Sequence, residues 1–399
     1  MVNQRTRGVL ALVVASALAI AACGGSSDTA PSSAATAGVA TTAATAGVAT
    51  TEPGGVLAGV CPEKVVIQTD WNPQAEHGGV YELVGDGYTV DADQKRVRGP
   101  LVAGGKDTGV DIEIRMGGPA IGFKPVGAYL YENTDIMLGY ANTDGIVQRY
   151  ASLPTLSVMA GLEINPQIIM WDPSTYPQVR TIADLKATGT KVRTFEGIAF
   201  MQYLVQSGVL DKAQVDGSYD GTPGVFVAQQ GKIAQQGFAS AEPYIYRNEV
   251  KNWGRDVAYQ LIYDTGWQPY AQSLVIRSAE RDKLAPCLKK LVPVIQQAQV
   301  DFLNNPARTD KLILDLVKRY NTGWVYSQGV ADYAVTQMRK LGIVGNGPNQ
   351  TLGDHDEVRV AEFIKKALPV YQQAGGKVKD DLKPSDIVTN GFIDPSIKL

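Results

Sequence analysis

The sequence predicts an α/β protein whose globular part, residues 61–399, divides into two lobes. Two observations carry this expectation. Short apolar runs of strand length alternate with segments whose apolar residues recur three or four apart, the pattern of strands joined through helices. The globular part is also longer than one simple core accommodates, which suits two lobes or a lobe with an excursion. Such alternation favours mainly parallel strands with helices on the sheet faces.

The N-terminus comes first. Arg5 and Arg7 precede an almost wholly apolar run, Val9 to Ile20, which closes on Ala21-Ala22 before Cys23. That run is too short to cross a bilayer comfortably, so residues 1–22 read as an export signal. Leu18-Ala19-Ile20-Ala21-Ala22-Cys23 resembles a bacterial lipobox, in which Cys23 is lipidated and becomes the first residue. The alternative is an ordinary signal with a chance cysteine. Residues 23–60 are Ala, Thr, Gly and Ser with few large apolar side chains, and read as a flexible tether. The expected location is therefore extracytoplasmic, with a lipid anchor in the bacterial cell membrane. The formal charge is −3, and −5 once Arg5 and Arg7 are removed. Mild acidity without a basic cluster argues against a nucleic-acid partner.

Strands are expected at Val65–Thr69, Val110–Arg115, Ile136–Tyr140, Ser157–Met159, Ile168–Trp171 and Ser273–Ile276. Thr181 with Asp184 three residues on, closed by Gly189, frames one helix. Thr222-Pro223 opens another, which Gly231 ends. Beyond Ala279 the pattern is almost continuously helical, at Leu284–Phe302, Arg308–Tyr320, Val330–Leu341 and Glu357–Gln373. Tyr88–Val97 reads as a small surface hairpin. Two cysteines follow Cys23, namely Cys61 and Cys287. Outside the cytoplasm a disulfide between them is favoured, with two buried free thiols as the alternative.

Most chemical motifs fail on spacing. Gly99–Lys106 resembles a phosphate loop, but Asp107 stands where a Ser or Thr is required, so it reads as a loop. Asp86–Asp93 lacks calcium-loop spacing. With only His77 and His355 and no Cys/His cluster, neither a zinc site nor any other metal site is expected. There is no Gly-x-Ser-x-Gly elbow, so no catalytic residues and no cofactor are assigned.

What remains are polar and aromatic residues where strands end, the side of an open α/β sheet that faces a ligand crevice. These are Asp70-Trp71-Asn72, Met116-Gly117-Gly118-Pro119, Asn142-Thr143-Asp144, Thr194-Phe195-Glu196-Gly197 and Glu242-Pro243-Tyr244. Each taken singly reads as a turn or cap; together they favour a small-molecule cleft.

Asp70-Trp71-Asn72-Pro73 with His77-Gly78-Gly79-Val80-Tyr81 resembles the "W-x-P … H-x-G-x-Y" start of a group of solute-binding proteins. That group serves ABC importers for sulfonates and for the pyrimidine precursor of thiamine, and shares its fold with a yeast pyrimidine-synthesis protein. The resemblance spans most of residues 63–280 and is looser after the first motif. It implies a two-lobed, type II periplasmic-binding-protein-like fold, with lobe one at 61–168 plus 265–399 and lobe two at 169–264. It also implies a monomer that delivers a small organic ligand to a permease and its ATPase subunits, without catalysis.

The ligand-binding candidates are Asp70, Trp71, His77, Tyr81, Asn142, Thr143, Glu196, Glu242, Tyr244 and Tyr270. Trp71 offers a stacking face. His77 is a hydrogen-bonding group, and Glu196 and Glu242 are acceptors for ligand amino groups. Two carboxylates in one cleft disfavour an anion and favour an amino-bearing or aromatic heterocycle. The alternatives are a sulfonate- or nitrate-binding component, a pyrimidine-synthesis-like enzyme, and a sensor lipoprotein. Asn72 and Pro73 are expected to cap and open a helix. Gly78 and Gly79 weaken that helix, which calls for a close approach there.

Overall fold

The computed structural model describes residues 55–399. The export signal, Cys23 and residues 23–54 of the expected tether lie outside the described residues. The last tether residues belong to the folded body. Gly55–Val60 makes a turn in which Leu57 is wholly buried and its amide donates to Thr108 O at 3.0 Å. One large apolar side chain is enough to anchor the segment, and the tether therefore ends sooner than composition suggests.

The strands are β1 (Lys64–Gln68), β2 (Thr89–Asp91), β3 (Arg96–Ala103), β4 (Lys106–Arg115), β5 (Leu138–Ala141), β6 (Thr155–Met159), β7 (Gln167–Trp171), β8 (Val192–Arg193), β9 (Val215–Asp216), β10 (Ala234–Phe238), β11 (Ala258–Leu261) and β12 (Ser273–Arg277). They form two sheets, in the orders β2-β3-β4-β1-β5-β12-β6 and β11-β7-β10-β8-β9. Every expected strand is present within a few residues, and both sheets are mixed.

Pairing is less parallel than the alternation implied. Only β4-β1-β5 and β10-β8-β9 run parallel; β2, β3, β6, β7, β11 and β12 join antiparallel. One reason is local. Gly99–Ala103, expected as loop, belongs to β3, which turns at Gly104-Gly105 straight back into β4, and so short a turn forces antiparallel neighbours. The Tyr88–Val97 hairpin is likewise the edge of the first sheet and not a detached excursion.

Side-chain alternation along β1 sends Val65 and Ile67 into one core and Val66 into another. Leu284, Leu288, Leu291 and Ile295 of the Arg281–Asn304 helix close the first core. Val360, Ile364, Ala367 and Tyr371 of the Glu357–Gln373 helix enter the second, which also holds Ile169, Trp171 and Val192 of the second sheet. The four long C-terminal helices fall where the periodicity predicts. Among the described residues no helix is long and apolar enough to cross a membrane. The chain passes from the first sheet to the second after β6 and returns before β12. The two crossings run side by side, bridged between Leu162 and Ala271. Cys61 and Cys287 are joined by a disulfide, which removes the free-thiol alternative.

Candidate functional site

The loops after β1, β4 and β5 in the first sheet face those after β8 and β10 in the second. Three adjoining cavities lie between them, of about 620, 140 and 130 Å³. Trp71 and Tyr219 border all three.

Trp71 leaves β1 on a loop zipped to the end of β4, with Gly117 N donating to Trp71 O at 3.2 Å and Gly118 N to Asp70 O at 2.9 Å. Three other aromatic rings surround its indole. Phe123 lies at 5.8 Å and 45°, Phe195 at 5.8 Å and 63°, and Trp324 at 5.9 Å and 87°. Glycines make room for it from both sheets. A Cβ on Gly118 would sit 2.7 Å from Trp71 Cε3, and one on Gly221 would sit 3.1 Å from Cη2. Both glycines have positive φ, 54° and 82°, so the turns and the indole depend on the same residues.

Asp70 lines the two largest chambers of the cleft. Its Oδ1 accepts from His77 Nε2 at 2.7 Å and Gln272 Nε2 at 3.2 Å, leaving Oδ2 without a protein partner among the described residues. On the other side Glu242, nearly buried, accepts from Phe238 N at 2.6 Å. Burial pushes its carboxyl up to about 7, against the lowering effect of that bond. The 140 Å³ chamber between them holds Asp70 and Glu242, the side chains of Gln74, Asn142, Gln167, Gln236 and Gln272, and no Lys or Arg. Its charged groups are therefore all acceptors, with amides to complete a polar rim. The 620 Å³ chamber is more open and mixed in sign, with Lys124 and Arg149 beside Asp144, Glu196 and Asp220.

The sequence-predicted residues divide accordingly. Asp70, Trp71, Asn142, Glu196 and Glu242 border the cavities, with Glu196 exposed at the larger one. His77, Tyr81, Thr143, Tyr244 and Tyr270 do not. His77 is wholly buried behind Asp70 and stacked on Tyr140 at 5.2 Å, with its Nε2 on the Asp70 carboxylate. Tyr81 belongs to the core of the first sheet. Thr143 Oγ1 accepts from Tyr270 N at 2.9 Å, tying the end of β5 to the returning crossing. The Tyr270 hydroxyl accepts from Asp356 N at 2.8 Å, and its ring lies under Arg359. Tyr244 packs on Tyr333.

Asn72 does not cap the following helix. Its Oδ1 accepts from Thr322 Oγ1 at 2.7 Å, and the helical turn begins later, at Ala75. The close approach at Gly78 and Gly79 is to the Arg281–Asn304 helix, not to the cleft: a Cβ on Gly78 would lie 2.2 Å from the Phe302 ring.

Sequence reasoning placed Phe195 in a strand-end cluster without making it a ligand candidate, and did not single out Phe123, Tyr219, Gln236, Gln272 or Trp324. Gln236 lies in the middle of β10 and carried no such signal; Phe195, just beyond β8, donates its amide to Gln236 Oε1. Trp324 had no signal either, because it arrives from a loop between C-terminal helices. Among the described residues no group of three or more His, Cys, Asp or Glu side chains converges as a metal site would require.

No family model matches this sequence, and no curated relative matches it. Solved structures do share its architecture. A ligand-binding component of an ABC-type import system from Staphylococcus aureus, solved with zinc bound, superposes with a TM-score of 0.52 at 9% identity, over 84% of this chain and 100% of that one. A protein from Bordetella bronchiseptica RB50 gives 0.51 at 13% identity, over 83% and 96%. The periplasmic nitrate-binding protein of Synechocystis gives 0.50 at 11% identity, over 83% and 87%. The chain has the two-lobed fold of type II periplasmic binding proteins.

Proposed function

We propose that this chain is the lipid-anchored, extracytoplasmic solute-binding component of an ABC importer. Its lobes, residues 61–168 with 265–399 and residues 169–264, close on a small organic ligand that bears N–H donors on a flat ring. One observation carries the ligand class. The 140 Å³ chamber beside Trp71 contains two carboxylates, Asp70 and Glu242, and no cationic side chain. An anion there would lose its hydration without gaining a counter-charge, whereas an amine or amino-heterocycle supplies the donors these carboxylates lack. The surrounding rings provide apolar walls of the kind small-molecule sites use.

Asp70, Trp71, Asn142 and Glu242 are the proposed ligand contacts, Glu196 a rim contact, and His77 a positioning residue. Tyr81, Thr143, Tyr244 and Tyr270 support the lobes and their crossings. The permease and ATPase subunits of the importer are the proposed partners of a monomeric binding protein.

Native mass spectrometry of freshly purified protein, followed by a thermal-shift screen, tests the reading. Amino-bearing heterocycles should raise the melting temperature, and sulfonates and nitrate should not. Stabilisation by those anions alone would sink the ligand class. Product formation during incubation would point instead to an enzyme.

A further inference from the structure

The least economical residue of the cleft is Phe123. Its φ is 58°, in the left-handed region that bulky side chains rarely enter, and Gly122 before it has φ 62°. The turn is held from behind, with Phe123 N donating to Gly118 O at 2.9 Å and Gly122 N to Pro119 O at 3.3 Å. The next residue, Lys124, is paired with Glu132 at 2.6 Å. This conformation is not offset by burial, because Phe123 is 52% exposed. Its ring leans on Trp71 and, across the cleft, on Phe195 of the second sheet at 5.9 Å and 39°. Neither contact is a parallel stack. Phe123 also borders the 620 Å³ and 130 Å³ cavities, so its ring stands at the partition between them, next to Trp71.

A strained backbone, a large exposed apolar ring and a position bridging both lobes are costs that the protein's own tilted contacts do not offset. They are what a group needs if its packing is completed by an occupant. We propose that Phe123 is a ligand-contacting residue that covers one face of a planar ring held beside Trp71, and so restricts the cleft to flat ligands. The proposal rests on the reading of the cleft as the ligand site. The rings of Phe123, Trp71 and Phe195 touch one another in tilted or edge contacts, with centroid separations of 5.8 to 5.9 Å, and so form one apolar wall that admits no ring between its members. A flat guest lays its whole face against such a wall, whereas a puckered ring of equal volume meets it with fewer atoms.

The test compares wild type with Phe123→Gly and Phe123→Leu, using 4-aminopyrimidine and adenine as flat amino-bearing probes and cyclohexylamine as a puckered one. Binding is followed by intrinsic tryptophan fluorescence, and stability by thermal melting. Phe123→Gly should melt at or above the wild-type temperature, because glycine accepts a positive φ without strain. It should bind the flat probes about tenfold more weakly, the scale of one lost aromatic contact with its buried area, and should no longer prefer them to cyclohexylamine. Phe123→Leu keeps the strain and an apolar cover, so its affinity should fall between the two. A Phe123→Gly protein that melts several degrees lower would show the ring to be a packing element and overturn the proposal. Undiminished affinity for flat probes in that variant would overturn it too, while leaving the cleft intact as the ligand site. Wild-type protein that binds none of the probes would overturn the reading of the cleft itself.

Discussion

His77 Nε2 lies 2.7 Å from Asp70 Oδ1, and the two partners differ in exposure: the imidazole has none, while the carboxylate side chain keeps 27%. At that distance Nε2–H donates to Asp70, and the buried Nδ1 has no hydrogen-bond partner among the described residues. Asp70 thus acts at the front of the pair and His77 behind it. Asp70→Asn should weaken binding of an amino-bearing ligand by about tenfold or more, the scale of a hydrogen bond to a charged group, with little change in melting temperature. His77→Ala should lower both affinity and stability, the latter by about 2–4 kcal/mol, because it empties a core position. Calorimetric titration and urea melts on the two variants separate these roles; equal stability losses would mean Asp70 is structural as well.

Why Gly78 was legible as an oddity and illegible as a contact shows where sequence reasoning stops. Local signals worked well. Thr181 and Asp184 form the reciprocal cap their spacing implies, and the four C-terminal helices follow from their apolar period. The partners of Gly78, Trp71 and Asp70 are brought in from far along the chain: Phe302 from a C-terminal helix, Trp324 from a loop between helices, Gln272 from the returning crossing. No local pattern encodes such meetings. The strand-end rule found Asp70, Trp71, Asn142, Glu196 and Glu242, since topology alone places strand ends at a crevice. It missed Phe123, which lies in a turn, and Tyr219, which follows the Phe195–Ser218 bridge beyond β9, where the sequence signals no strand end.

Gly78→Ala gives a direct check of that tertiary contact. In an isolated helix the change would gain about 1 kcal/mol. Here the new methyl would meet the Phe302 ring, an aromatic side chain that is 1% exposed and has nowhere to go. The expected outcome is a net loss of about 1–3 kcal/mol from overpacking, seen as a lower urea midpoint, with ligand affinity unchanged because the contact faces away from the cavities. A stabilised variant would mean that the Phe302 ring yields easily.

Glu242 makes stability depend on pH. Burial raises its carboxyl from an ordinary 4.5 to about 7, and burial also raises that of Glu76, which accepts from the buried Ser240 hydroxyl. The folded chain therefore holds these protons more tightly than the unfolded one. The stability tied to Glu242 is full below about 4.5 and is lost as pH rises through about 7, a change on the order of 3 kcal/mol for a group this buried. Urea melts from pH 4.5 to 8 should show the decline, and Glu242→Gln should flatten it. Affinity for a cationic amine should move the opposite way, rising across the same window as Glu242 ionises. A Glu242→Gln protein with the wild-type pH profile would assign the effect elsewhere.

The disulfide should separate stability from function. It closes a loop across 226 positions of sequence, and both cysteines lie on the side of the first sheet: Cys287 is in its core and Cys61 packs against it. A loop of that length corresponds to about 5 kcal/mol of denatured-state entropy in the chain-entropy account. The Cys61→Ser, Cys287→Ser double variant should thus melt well below the wild type. At temperatures where it remains folded it should bind ligand with unchanged affinity, since neither cysteine borders the cavities.

Trp71 offers the sharpest separation of packing from binding. Its ring is only partly buried, touches Phe123, Phe195 and Trp324 in tilted or edge contacts, and borders all three cavities. A core tryptophan replaced by alanine costs about 3–5 kcal/mol; this one has fewer neighbours to lose and stands against open volume. Trp71→Ala should cost about 1–2 kcal/mol in stability, mainly from lost aromatic contacts. The same change removes the wall on which a flat ring rests, and affinity should fall by about a hundredfold, the cost expected of a central aromatic contact. Trp71→Phe, which keeps an aromatic face, should recover much of the affinity. If Trp71→Ala lost as much stability as a core substitution and no more than tenfold in affinity, the indole would belong to the core, and the ligand would have to rest on Tyr219, the other residue common to the three cavities.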